Sequence, residues 1–225
     1  MARQKLKRIV DSEEKANIIQ PGKAEYGQLR NKWAEEFFKN TLPITLELGC
    51  GKGEYSVALA KLNPDRNYLG VDIKGPRLWV GAQQAMDEGL SNVGFVRSYI
   101  QNIDRHVGAG EVDEIWIPFP DPRPRVSDAR RRLTSPRFLA MYRNMLAPLG
   151  VLRLKTDNED LFDYSIDSIA KHGFTIRKQT KNLYASSYLP EHHGIQTYFE
   201  KIFLGQGIKI NYLEATLDPT PNPTT

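Results

Sequence analysis

The sequence predicts a doubly wound α/β domain on a mostly parallel sheet, and three observations carry that expectation. Short apolar runs of strand length alternate with longer amphipathic runs between Ile44 and Leu217. The first apolar run passes into three glycines at alternate positions, Gly49, Gly51 and Gly53, within LELGCGKG. Aspartates stand where later apolar runs end, at Asp72, Asp121 and Asp157. That edge is where open α/β sheets bind their ligands.

Composition sets the outer bounds. A chain of 225 residues, 40% hydrophobic and 26% charged, suits one globular domain with tails. The expected division is a flexible basic arm over residues 1–25, a single domain over 26–217 and a disordered tail over 218–225. No apolar run approaches the roughly 18 residues of a membrane span, and the N-terminus lacks a signal-peptide core. The one cysteine, Cys50, has no internal disulfide partner, which fits a reducing cytoplasm. No Cys/His cluster has metal-ligand spacing, so no metal is expected; adjacent His192 and His193 read as a solvated loop.

Net charge is only +4, but six arginines and one aspartate fall between Arg123 and Arg137. That stretch carries a local net of +5, so the rest of the chain sums to −1. A smaller basic cluster comprises Arg3, Lys5, Lys7 and Arg8. Concentrated arginine suits a polyanionic partner, of which nucleic acid is the commonest, or else a plain solvated loop.

Taken in order, Leu29, Trp33 and Phe37 at i, i+4 and i+8 predict a packing helix over 28–39. The first strand starts at Ile44 and delivers the chain into the glycine turn, where backbone without Cβ atoms can approach a ligand. A helix follows over Glu54 to Leu62. The turn is Gly-x-Gly-x-Gly, matching neither the dinucleotide fingerprint nor a P-loop. Glu47 before it would repel a pyrophosphate but suits a ligand with cationic or hydroxyl groups. Asn67 to Ile73 is the second strand. Its Asp72, about 20 residues past the turn, can accept from both hydroxyls of a ribose.

Pro76 opens a helix to about Gly89, and Asn92 to Arg97 and Glu111 to Phe119 are the next strands. Three alternating prolines after Phe119 make a stiff loop around Asp121. Ser135 and Pro136 start a helix over 137–147, and Gly150 to Thr156 is the fifth strand. Asp157 at its end can cap the helix over 158–172 or face a ligand. Phe174 to Thr180 is the sixth strand. Thr197 to Glu200 fits a capping box for a short helix, and Ile208 to Leu217 completes seven strands.

Together these motifs resemble the bacterial tRNA (guanine-N7-)-methyltransferases. The features that carry the resemblance are LELGCGKG, GVDIKGPR, FPDP at Phe119 to Pro122, RRRLTSPRFL, KTDN at Lys155 to Asn158 and TYFE at Thr197 to Glu200. The resemblance implies a Rossmann-like class I methyltransferase fold and transfer from S-adenosylmethionine to a guanine N7 in the tRNA variable loop. It places Glu47, Gly49, Gly51, Gly53, Asp72, Tyr99 and Asp121 at the cofactor, with Asp121 catalytic. Arg125, Asp157, Thr197, Tyr198, Phe199 and Glu200 match substrate-binding positions, and Arg130, Arg131 and Arg132 supply the basic run. A monomer or homodimer acting on tRNA is expected. The chain departs from the family at Arg123, where many members have tryptophan, at Val126, Ser127 and Asp128, and at Tyr99, where they have aspartate.

Two rival readings accompany this one. An exocyclic-amino methyltransferase would carry an Asp/Asn-Pro-Pro-aromatic loop, but Arg123 interrupts that pattern after Asp121-Pro122. A non-catalytic RNA-binding protein of the same fold would have no need of Glu47, Asp72 and Asp121 together.

Overall fold

The computed structural model describes residue 8 and residues 11–218. The basic residues Arg3, Lys5 and Lys7 and tail residues 219–225 lie outside that range. The chain forms two compact units, Met1–Val112 and Asp113–Thr225.

The first unit holds strands β1 (Ile18–Ile19), β2 (Ile44–Leu48), β3 (Asn67–Asp72) and β4 (Val93–Arg97), with helices α1 (Glu54–Leu62) and α2 (Gly75–Asp87). The sheet order is β1-β4-β3-β2 and every pairing is parallel. All five residues of β2 and the first five of β3 are buried, the continuous burial expected of parallel strands covered on both faces. The register sets Glu47 opposite Gly70 and Asp72 opposite Arg97.

The described residues hold eight strands in all, one more than the sequence predicts. The extra strand is β1, inside the segment expected to be a flexible arm. Ile18 and Ile19 are buried and pair with Phe95 and Val96. Lys15 donates to Gln83, and Arg8 lies 4.9 Å over the Trp79 ring. Two buried isoleucines and a cation over indole provide the docking that charge counting overlooks.

The helix expected over 28–39 is shorter and wider: Trp33–Phe38 winds as a π-helix. Asn31 has φ +64°, which an α-helix excludes, and the Asn31 and Trp33 N–H groups donate to the Glu111 carboxylate. Trp33 is buried and donates its indole N–H to the His106 carbonyl, 2.7 Å away.

The second unit contains β5 (Val112–Pro118), α3 (Pro136–Met145), β6 (Leu146–Thr156), α4 (Glu159–Lys171), β7 (Phe174–Thr180), α5 (Tyr198–Gly205) and β8 (Asn211–Leu217). Its strands run in the order β5-β6-β8-β7, with β8 antiparallel to both neighbours. Leu152, Leu154, Leu213 and Ala215 are fully buried in the core of this sheet. No helix is long and apolar enough to cross a membrane among the described residues.

Candidate active site

The glycine turn belongs to the first unit. Gly49, Gly51 and Gly53 have φ of +77°, +57° and +70°, the left-handed region closed to most side chains. The N–H groups of Gly49 and Cys50 both donate to the Val71 carbonyl, at 2.8 and 3.0 Å, and pin the turn to β3. Gly51 N–H donates to Asp72 Oδ2 at 3.0 Å, and Lys74 N–H donates to Oδ1 at 2.8 Å. Two motifs 21 residues apart are thus one structure.

Packing explains the third glycine. A Cβ on Gly53 would lie 2.5 Å from Phe95 Cε1. Gly81 of α2, which sequence reasoning passed over, is as tightly placed, because its Cβ would sit 2.4 Å from the Lys52 carbonyl oxygen. A glycine in mid-helix, costly against alanine, was the available signal. Space opens on the other side: nothing lies within 4 Å of a Cβ built on Gly51.

Glu47 is 4% exposed and accepts hydrogen bonds from both the N–H and the hydroxyl of Ser56 in α1. Burial, opposed by those bonds, pushes its carboxyl up to about 7. Glu47 therefore braces the helix that follows the turn. Tyr99 is 55% exposed just past β4, beside Ser98, whose N–H donates to the Asp72 carbonyl. The glycine turn and the Asp72 carboxylate thus lie side by side at the ends of β2 and β3. Each oxygen of Asp72 accepts one N–H and keeps a further lone pair, a set of acceptors that fits a pair of ribose hydroxyls.

In the second unit, β5 leads into the proline loop. Phe119 and Arg123 on either side of Asp121 both have positive φ, +50° and +48°. Such backbone persists only where the surroundings hold it. The Phe119 N–H donates to the Lys155 carbonyl at 2.8 Å. Asp121 accepts from Arg123 N–H at 3.2 Å and faces Arg123 Nε at 3.1 Å, with its side chain 61% exposed. An exposed pair like this orients the carboxylate but adds little stability.

The arginine run divides by environment. Arg125 and Arg130 are exposed, and Arg131 is exposed beside Asp128 at 3.2 Å. Arg132 turns inward: its guanidinium donates twice to the Arg123 carbonyl and lies 4.3 Å over the Tyr164 ring. It holds the loop in place.

Helix α4 is capped by Asn158, whose Oδ1 accepts from Leu161 N–H at 2.8 Å, so Asp157 is not the cap. Asp157 is half-buried, and burial raises its carboxyl above the ordinary value. Thr197 caps α5 by accepting the Glu200 N–H at 3.3 Å. The Glu200 carboxylate does not complete a capping box; it is fully buried against Lys155 Nζ at 2.7 Å, with His192 Nε2 and Tyr184 hydroxyl each at 3.1 Å. Burial would raise this carboxyl, but His192 and Lys155 outweigh that and hold it below its ordinary value. His192, expected in a solvated loop, is 2% exposed because Glu200 recruits it. Tyr198 and Phe199 remain more than half exposed. Among the described residues no three His, Cys, Asp or Glu side chains gather as a metal site.

A family model described as "Putative methyltransferase" matches residues 41–212, spanning both units. A tRNA (guanine-N(7)-)-methyltransferase of Cytophaga hutchinsonii is 45% identical over 216 residues, covering 95% of this chain and 97% of the relative. One of the same description from Christiangramia forsetii is 44% identical, covering 94% and 97%. Among solved structures, the 16S rRNA methyltransferase KamB is similar with a TM-score of 0.63 at 17% identity, covering 88% of this chain and 94% of that one. At that identity the likeness establishes the class I methyltransferase fold alone. The 44–45% identity to the Cytophaga and Christiangramia proteins, over nearly the whole length of each pair, settles the family: this protein belongs to the tRNA (guanine-N7-)-methyltransferases.

Proposed function

We propose that this protein methylates N7 of the guanine at position 46 in the tRNA variable loop. The observation that carries the reading is family membership across both units, together with the FPDP, KTDN and TYFE segments. S-adenosylmethionine supplies an electrophilic methyl group on a sulfonium. The open glycine turn and Asp72 suit its adenosine and cationic portions, and Glu47 keeps the start of α1 in place beneath them.

Guanine N7 carries an in-plane lone pair and no proton, so its attack requires no general base. The protein's contribution is alignment of the acceptor, which can account for several powers of ten in rate. As the methyl group transfers, positive charge develops on the guanine ring. A fixed carboxylate at Asp121 can stabilise that charge or accept from the guanine N1–H and amino group. Arg125, Arg130 and Arg131 bind phosphates and the folded RNA shape; Asp157 and the exposed rings of Tyr198 and Phe199 suit an unstacked base. A cytoplasmic location belongs to the same reading, supported by the proposed tRNA substrate and by a single cysteine with no internal disulfide partner.

The test is direct. The protein is incubated with methyl-labelled cofactor and unmodified tRNA, the RNA is digested, and the nucleoside is identified by mass spectrometry and located by fragment mapping. The expected product is 7-methylguanosine in the variable loop. A methyl group on an exocyclic amine, or label elsewhere in the tRNA, would refute the assignment.

A further inference from the structure

Lys155 stands in the KTDN segment, and its ammonium is buried beside Glu200 with no part in methyl transfer assigned to it above. The side chain is fully buried, with Nζ at 2.7 and 2.9 Å from the two Glu200 oxygens and 5.6 Å from the centre of the Phe119 ring. Its carbonyl accepts the Phe119 N–H. Phe119 opens the FPDP loop with φ +50°, and its ring lies 5.8 Å from that of Phe203 in α5. On the other side, Glu200 is one turn from Thr197, Tyr198 and Phe199 and donates its N–H to Thr197. One lysine therefore joins the loop that carries Asp121 to the helix turn that carries the exposed rings.

Stability does not explain this choice. An apolar pair of equal volume is often as stable as a buried ion pair, or more so, because neither partner loses hydration. What a charged, hydrogen-bonded pair adds is a single orientation. The cation over Phe119 also helps hold a residue whose backbone is strained.

We propose that Lys155 is a positioning residue for methyl transfer, acting through Glu200 and Phe119 to hold the Asp121 loop and the first turn of α5 in one arrangement. This rests on the methyl-transfer reading above. The competing role is a direct contact between Glu200 and the RNA, with Lys155 as a mere counterion.

A double-mutant cycle separates the two. Lys155→Met, Glu200→Gln and the combined variant are compared for unfolding midpoint, S-adenosylmethionine affinity, kcat and KM with tRNA, and amide exchange. If the pair acts as a unit, each single change lowers kcat by about 100-fold and the combined variant loses no more than the worse single one. Cofactor affinity stays unchanged, and the loss falls on kcat more than on KM. Exchange rises in residues 119–123 and 197–200 but not in β7. Losses that multiply in the combined variant would assign Glu200 its own action on RNA and overturn the proposal, as would unchanged kcat or unchanged exchange. Should Lys155→Met fail to fold, Glu200→Gln against the charge-free combined variant asks the same question: equal kcat supports the proposal and a further loss overturns it. If the wild-type protein forms no 7-methylguanosine, the methyl-transfer reading fails and the exchange data decide the positioning claim alone.

Discussion

Asp121 and Glu47 are both carboxylates, yet they meet opposite surroundings. Asp121 is exposed in a stiff loop and oriented by Arg123, whereas Glu47 is buried under the glycine turn and bonded to Ser56. Asp121→Asn keeps the shape and the Arg123 N–H bond but removes the charge. It should bind S-adenosylmethionine normally in calorimetry while kcat falls by about 100-fold or more; near-normal turnover would remove Asp121 from the chemistry. Glu47 makes a prediction about pH. Its carboxyl rises from 4.5 in the unfolded chain to about 7 in the fold. Between those values the native state keeps a proton that the unfolded state has released, so stability falls as pH rises through this window. The loss is about 3 kcal/mol, at 1.36 kcal/mol per pKa unit. Denaturation midpoints of wild type and Glu47→Gln, measured from pH 4 to pH 8, should therefore converge or cross as pH rises. Parallel curves would show that Glu47 is ionised throughout.

Elements meet tightly where the glycine turn enters α1. Gly53 combines φ +70° with a contact that leaves no room for a methyl group beside Phe95. Gly53→Ala should cost about 1–3 kcal/mol in chemical denaturation and weaken cofactor binding, while an unshifted midpoint would mean that Phe95 moves aside freely. The strand, turn and helix here were legible in the sequence because glycine spacing and an apolar run encode them locally. The segment Trp33–Phe38 was less so. Its hydrophobic spacing fits a helix, but the π-helical winding depends on the Glu111 carboxylate about 80 residues away, which no local pattern reveals. The capping box at Thr197 was half legible for the same reason: the threonine caps as expected, and the glutamate is drawn into the core by Lys155.

Charge is best judged over the whole molecule. Net +4 is modest, but the +5 between Arg123 and Arg137 leaves the remainder slightly acidic, so the basic surface is local. Arg130→Ala with Arg131→Ala should weaken tRNA binding and flatten the slope of log K against log salt by about 1–2, each phosphate contact contributing about 0.7–0.9. Arg132→Ala should instead lower the unfolding midpoint and loosen the loop, because its guanidinium is spent on the Arg123 carbonyl and Tyr164. A salt slope that changes more with Arg132 than with the other two would reverse this division. By itself the sequence determined the α/β order, the glycine turn, the acidic strand ends and the family, since each depends on residues close in the chain or on a recognisable motif. Tertiary structure alone decided that β1 is docked, that the Arg132 and Glu200 side chains bond to other parts of the protein, and that Lys155 and His192 surround the buried Glu200 carboxylate. Those roles depend on partners far apart in sequence, where burial determines which charges must be paired and which stay exposed.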